Sequence, residues 1–168
     1  ALETEESELT VYSDDKWLRF ILDQLIVNAV KYSREHPVLH FYTKVQGDQI
    51  FLFVEDHGIG ICANDLPRIF EKGFTGQNGR IRQNATGIGL YLCKRLCDKL
   101  GIGIAAQSGE TGTTMILSFQ INHFIHQVQG YEKPCISYIF VRILLENLIQ
   151  TQAEIRYNQN IKRRGEVS

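Results

Sequence analysis

From Trp17 onward, apolar side chains recur as Trp17, Leu18, Ile21, Leu22, Leu25, Ile26, Ala29 and Val30. Steps of three and four residues put them on one side of a helix of about five turns. Asp14 or Asp15 is placed to cap its start. The helix is expected to stop near Ser33, because the residue ahead of a proline, here Pro37, is pushed out of the helical region. A short strand, Thr10-Val11-Tyr12, precedes it. Val38 to Val45 and Ile50 to Glu55 are β-rich runs separated by Gln46-Gly47-Asp48-Gln49, which predicts a hairpin. Phe51-Leu52-Phe53-Val54 is almost wholly apolar, as in a central strand covered on both faces.

Beyond the glycine-rich bend Asp56-His57-Gly58-Ile59-Gly60, a short helix is expected from Asp65 to Phe70, with Pro67 in its first turn. Glu71 to Thr86 carries glycines and asparagines with few apolar anchors and reads as a mobile loop. A second helix begins around Gly87-Ile88-Gly89 and runs to Leu100, closed by Gly101. Ile102 to Ala106 and Thr113 to Phe119 read as two closing strands joined by a glycine-bearing turn. The order of elements predicts a layered α/β fold with a mixed or antiparallel sheet. From Ile136 to Ile161 the apolar pattern is that of one long helix.

Composition narrows the function classes. The chain has 168 residues, 43% hydrophobic and 22% charged, with a net charge of −1, enough for one sizeable core and typical of a globular domain. Balanced charge gives no field for nucleic acid; the basic run Lys162-Arg163-Arg164 reads as a solvated tail. Ile136 to Ile149 comes nearest to a membrane span, but Arg142 and Glu146 interrupt it and it falls short of the roughly 20 apolar residues a span needs. No direct membrane contact is expected. The acidic start, with Glu3, Glu5, Glu6 and Glu8, is unlike a signal peptide. Cys62, Cys93, Cys97 and Cys135 show no CxxC spacing, which suggests a reducing, cytoplasmic setting; Cys93 and Cys97 are expected to be small buried residues, and His123 and His126 structural or exposed.

Three segments carry polar residues that the fold alone does not require. Gln24, Asn28 and Lys31 share one face of the first helix. An amide oxygen suits Mg²⁺, and a lysine one turn on can meet phosphate oxygens; an ordinary polar helix edge would look the same. Asp56, at the end of a strand, can accept hydrogen bonds from an exocyclic amine, while Gly58 and Gly60 let backbone approach a flat ring. Gly58 to Ala63 also fits the dinucleotide pattern, but Asn64 and Pro67 delay the helix that pattern needs at once. Finally, Thr86-Gly87-Ile88-Gly89-Leu90 leads into a helix N-terminus, where free amides and the helix dipole favour an anion. It is not a Walker loop, since the chain contains no Gly-Lys-Ser/Thr.

In this order and spacing the three segments resemble the N, G1 and G2 boxes of the superfamily that unites gyrase, heat-shock chaperone, mismatch-repair and histidine-kinase ATP-binding domains. Arg68-Ile69-Phe70-Glu71-Lys72-Gly73-Phe74-Thr75-Gly76 resembles the F box of sensor histidine kinases, and Gly109 to Thr114 the last glycine motif. The match covers residues 10 to 120, and its finer texture is similar to kinases that regulate peptide-antibiotic transporters in low-GC Gram-positive bacteria. It implies a two-layer α/β sandwich of the Bergerat (GHKL) type, a mixed, largely antiparallel sheet with helices on one face. Residues 1–120 would be the catalytic domain and 121–168 a helical extension.

The same resemblance implies ATP and Mg²⁺ as cofactors. Asp56 would take the adenine amino group, Gly58 and Gly60 would shape its pocket, and Tyr32 would border the nucleotide. Asn28 would bind Mg²⁺, with Lys31 on phosphate and Gln24 among the catalytic set. Phe70, Lys72, Gly73 and Phe74 of the F box, with Thr86, Gly87, Ile88, Gly89, Leu90 and Thr113, would complete the nucleotide contacts, and residues 71–86 would close as a lid. The implied reaction passes the γ-phosphate to a histidine on a separate dimerisation domain, then to a response regulator, in a parent anchored in the cell membrane. An anti-sigma-factor-type serine kinase and a non-catalytic nucleotide-binding or dimerisation module are the competing readings. Two positions depart from the pattern. Gln24 stands where hydrolytic relatives carry glutamate, and an amide cannot act as a general base. His57 replaces the usual Asn after the G1 aspartate, which would weaken Mg²⁺ or phosphate binding if that Asn contributes to it.

Overall fold

The computed structural model describes residues 2–4, 10–34, 37–77, 85–121 and 138–140. The first helix, α1, spans Asp15–Lys31, and Asp14 is its cap: extended itself, it accepts the Trp17 N–H at 3.0 Å. The buried stripe is Leu18, Ile21, Leu22, Leu25, Ile26 and Ala29. Trp17 lies off it, 43% exposed. The second helix, α2, spans Gly89–Leu100 and closes on Gly101 in the left-handed region, φ 68°. It packs on α1 through Cys93 and Cys97, and the Cys93 thiol approaches the Ile21 carbonyl at 3.9 Å. Burial, with the neighbouring thiol, pushes Cys93 up to about 12, and burial with Asp98 pushes Cys97 up to about 11. Both stay protonated and serve as small apolar packing.

Seven strands are described: β1 (Leu2–Thr4), β2 (Thr10–Tyr12), β3 (Leu39–Gln46), β4 (Gln49–Asp56), β5 (Gly103–Gly109), β6 (Gly112–Gln120) and β7 (Tyr138–Phe140). Five form a sheet in the order β1-β3-β4-β6-β5, antiparallel except for β1, which lies parallel to β3. The predicted hairpin is β3–β4, tightened to a turn at Gly47-Asp48. Its neighbour β6 sets Thr113 directly opposite Asp56. Between β4 and α2 the expected short helix contracts to a 3-10 turn at Leu66–Arg68, with Pro67 inside it. Residues 78–84 of the loop that follows lie outside the described residues.

Both helices lie against one face of the sheet. Leu39, Phe41, Ile50, Leu52, Val54, Met115, Leu117 and Phe119 point into that layer and form one cluster with the helical stripes. Burying each large apolar side chain stabilises the fold by about 1.5–3 kcal/mol. The expectation that Phe51-Leu52-Phe53-Val54 is covered on both faces is corrected here. Leu52 and Val54 are buried, but Phe51 and Phe53 are only partly so, on the opposite face. There Phe53 stacks on Tyr42, ring centroids 4.7 Å apart, and Lys44 lies over both rings. The aromatic residues cover one another across neighbouring strands, so a continuous apolar run appears without a second layer of helix.

The long helix expected from Ile136 to Ile161 is also corrected at its start. Tyr138–Phe140 is a strand, antiparallel to β2; two aromatic residues flanking a β-branched one favour that state. The rest of that segment, with His123 and His126, lies outside the described residues. Among those described, no helix is long and apolar enough to cross a membrane.

Because Asp14 and not Asp15 caps α1, Asp14→Ala is expected to lower stability by about 1 kcal/mol. Asp15→Ala should change it by no more than a few tenths of that. Urea denaturation of both variants measures the difference, and equal losses would contradict the cap.

Candidate functional site

Three chain segments meet where α1 ends. Ser33 and Tyr32 finish the helix, and the Tyr32 carbonyl accepts the Ile59 N–H at 3.0 Å, tying the Asp56–Gly60 bend to the helix end. A side chain at position 58 would strike the same carbonyl. Gly60 is left-handed, φ 71°, and its Cα faces the Gly109 carbonyl so closely that a Cβ would overlap it. The bend is therefore pressed between α1 and the β5–β6 turn, backbone against backbone, and only glycine permits that spacing.

Asp56 ends β4 inside this junction. Its Oδ1 accepts the Gly58 N–H at 2.8 Å and the Thr113 N–H at 3.3 Å. Among the described residues Oδ2 has no hydrogen-bond donor, so it is the oxygen offered to a ligand. Burial raises the Asp56 pKa above the ordinary aspartate value; the two amides and His57 pull the other way.

On the far side, Gly87 is left-handed, φ 66°, and packs against the backbone of Gly73 and Phe74, with the Gly73 N–H on the Gly87 carbonyl at 3.0 Å. This fixes the start of α2, whose first turn has no side-chain cap. Its free amides and the positive end of its dipole are what an anion would meet. The Gln24 Oε1 lies 2.7 Å from where a Cβ on Gly89 would be. Arg68 stacks on Phe74 at 4.5 Å and pairs with Glu71 at 3.0 Å, bracing the segment that carries Gly73.

A cavity of about 310 Å³ opens between these segments. Of the residues expected at a site, it is lined by Gln24, Asn28, Lys31, Tyr32, Asp56, Gly60, Phe74, Thr86, Gly87, Gly89, Leu90 and Thr113. Gly58 lies just beneath, on Asp56. Phe70, Lys72, Gly73 and Ile88 are not among the lining residues: Phe70 packs on the core, Lys72 is exposed, and Gly73 acts by holding Gly87. The resemblance implies nucleotide contacts for these four. His57 too faces elsewhere, 3.5 Å from a Glu55 oxygen in a separate polar hollow.

Several further residues line the cavity. Leu25, Ala29, Ile69 and Met115 form the apolar wall and read as core positions, which they also are. Asp65 accepts the Gln77 N–H at 2.9 Å, holding the start of the loop. Cys62 is exposed at the rim. Among the described residues no three His, Cys, Asp or Glu side chains gather as a metal site.

A raised Asp56 pKa means that the folded state holds this proton more tightly than the unfolded one. Stability is then lost as pH rises from the ordinary aspartate value through the raised one, and the deficit is constant above it. Asp56→Asn, which keeps an acceptor for both amides, should therefore raise the urea midpoint at pH 7, with the gain vanishing as pH falls below the ordinary aspartate value. A midpoint unchanged or lowered at pH 7 would contradict the desolvated carboxylate.

Residues 13–123 match the model of the family described as histidine kinase-, DNA gyrase B-, and HSP90-like ATPases. The chain is 42% identical over 112 residues to the sensor histidine kinase YxdK of Bacillus subtilis, covering 65% of this chain and 34% of that protein. It is 48% identical over 118 residues to the sensor protein BceS of Halalkalibacterium halodurans, covering 68% and 35%. The chain thus spans about a third of the length of these relatives. Its fold is similar to that of the mycobacterial sensor histidine kinase MprB, with a TM-score of 0.59 at 20% identity, over 71% of this chain and 81% of that one. Tyr32, Asp56, Gly60 and Gly87 stand in the matched stretch, and the chain belongs to the family of histidine kinase-, DNA gyrase B- and HSP90-like ATPases.

Proposed function

We propose that this chain is the ATP-binding catalytic domain of a two-component sensor histidine kinase, which transfers the γ-phosphate of ATP to a histidine on the dimerisation domain of the same kinase. The observation that carries the reading is the joining of two unlike ends in one cavity. At one end stands a desolvated carboxylate with a free oxygen, suited to an exocyclic amine. At the other stand the uncapped amides of α2 and the Lys31 ammonium, suited to a polyphosphate. The relatives that name a sensor kinase support the class. The parent protein is read as anchored in the cell membrane, with this domain on the cytoplasmic side, passing the phosphoryl group on to a response regulator.

Asp56 selects the base, Tyr32 and the apolar wall of Leu25, Ala29 and Met115 flank it, and Lys31 with the α2 amides takes the triphosphate charge. Gln24 lies against the first residue of α2. Its amide cannot remove a proton from water, so hydrolysis is disfavoured and the phosphoryl group waits for an imidazole. That imidazole nitrogen attacks the γ-phosphorus, the bond to the bridging oxygen breaks, ADP leaves, and the ring sheds its second nitrogen's proton.

The donor set fits a metal that arrives with the nucleotide. Asn28 and Gln24 offer neutral oxygens and no carboxylate cage accompanies them among the described residues. Mg²⁺ commonly binds this way, keeping waters and substrate phosphates as its other ligands. When bound it would supply charge neutralisation along the triphosphate, with Asn28 as its protein ligand.

Calorimetry with a non-hydrolysable ATP analogue tests the assignment. Binding is expected to tighten with Mg²⁺, Mg²⁺ alone should give no heat, and Asn28→Ala should erase the Mg²⁺ effect. Asp56→Ala should weaken binding by about 10- to 100-fold, the worth of a hydrogen bond to a charged group. Identical affinity for wild type and Asp56→Ala would remove the nucleotide assignment. With radiolabelled ATP and a histidine-bearing dimerisation domain, an acid-labile product is expected; an acid-stable one would favour a serine kinase.

A further inference from the structure

The face of the sheet turned away from both helices has a pattern of its own. Pairing of β3 with β4 and of β4 with β6 sets its side chains in rows across the strands. The central row is Tyr42, Phe53 and Ile116; Lys44 and Phe51 stand in the row on one side, His40 and Glu55 in the row on the other. The Tyr42 and Phe53 rings stack at 4.7 Å, with Phe51 beside Phe53 at 6.4 Å and His40 beside Tyr42 at 5.0 Å. Phe51, Phe53 and Ile116 are only partly buried. An apolar centre rimmed by polar side chains is the anatomy of a docking surface.

Its charges decide the occupant. On β3, β4, β5 and β6 the charged residues of this face are Lys44 and Glu55. Lys44 is exposed and Glu55 partly so, and their rows lie about 13 Å apart along the strands. One end of the face is thus basic and the other acidic. A half-turn about an axis lying along the central row lays the face on a copy of itself, aromatic on aromatic, and brings each end over its opposite. We propose that this face is a docking surface for a second copy of the chain, with Lys44 of each copy meeting Glu55 of the other across two sheets packed about 10 Å apart. The four strands offer roughly 500 Å² per copy. That is below the roughly 800 Å² of a standard interface, so the dimer is weak and reversible. The inference does not depend on the nucleotide reading, because the cavity lies on the helical side of the sheet.

Sedimentation equilibrium of the whole chain, carried up to about millimolar protein, tests this. Wild type is expected to show a reversible monomer–dimer equilibrium. Lys44→Glu and Glu55→Lys each turn both charge pairs of the dimer into like-charge contacts, and each is expected to weaken self-association by about tenfold or more. Mixed in equal amounts, the two variants should form a heterodimer, because every pair across it is again opposite in sign. The double variant Lys44→Glu/Glu55→Lys should regain self-association for the same reason. Damage to the fold at either position would persist in the mixture, so recovery marks a pair across the interface. Should Glu55→Lys not fold, Glu55→Gln takes its place: it should weaken the wild-type dimer and strengthen that of Lys44→Glu, and equal effects in the two backgrounds would overturn the pairing. Wild type that stays monomeric at every concentration overturns the proposal, whether residues 121–168 or another protein then covers the face. A dimer indifferent to both single reversals, or one that the mixture does not restore, overturns it as well, since the copies then meet elsewhere or in another orientation.

Discussion

A carboxylate shared by two backbone amides at the end of the central strand is the interaction on which the rest of this structure depends. Asp56 reaches the Gly58 and Thr113 N–H groups with a single oxygen. The amides compensate one side of a charge that burial disfavours, and the other oxygen has no protein donor among the described residues. A half-compensated charge of this kind lowers stability and raises affinity for a matching donor. Such an arrangement needs its surroundings held rigidly, since a loose loop would let the carboxylate turn out to water.

The rigidity comes from close backbone packing. The α1 terminus, the glycine bend and the β5–β6 turn are stacked so tightly that side chains at positions 58, 60 and 112 would overlap neighbouring main chain or, at 58, the Tyr32 carbonyl. At the opposite end, Gly87 is wedged against Gly73 and Phe74, which fixes where α2 begins and where its amides point. The two ends are joined by α1, whose buried face belongs to the core and whose edge carries Gln24, Asn28 and Lys31 to the cavity. One helix thus couples fold stability to site geometry.

Periodicity made much of this legible. The α1 stripe, the β3–β4 hairpin, and the helix from Gly89 to Gly101 follow from spacing and stop residues, and the polar triad on α1 broke that pattern enough to be noticed. What escaped was of two kinds. Three-residue strands such as β1 and β7 exist through pairing with β3 and β2, and no local run that short announces a partner. Side chains such as Leu25 and Met115 serve core and cavity at once, so their residue type gives no separate signal. The Phe51 and Phe53 run misled because aromatic rings paired across strands imitate a strand buried on both faces. Phe70, Lys72, Gly73 and Ile88, expected at the nucleotide from the resemblance, are not among the residues lining the cavity in the absence of a nucleotide.

The most direct test of the central claim is a crystal structure of the chain with Mg²⁺ and a non-hydrolysable ATP analogue. The account predicts the purine 6-amino group within hydrogen-bond distance of the Asp56 Oδ2 and the phosphates at the amides of Gly87 to Leu90. A base seated elsewhere, with Asp56 turned to solvent, would contradict it.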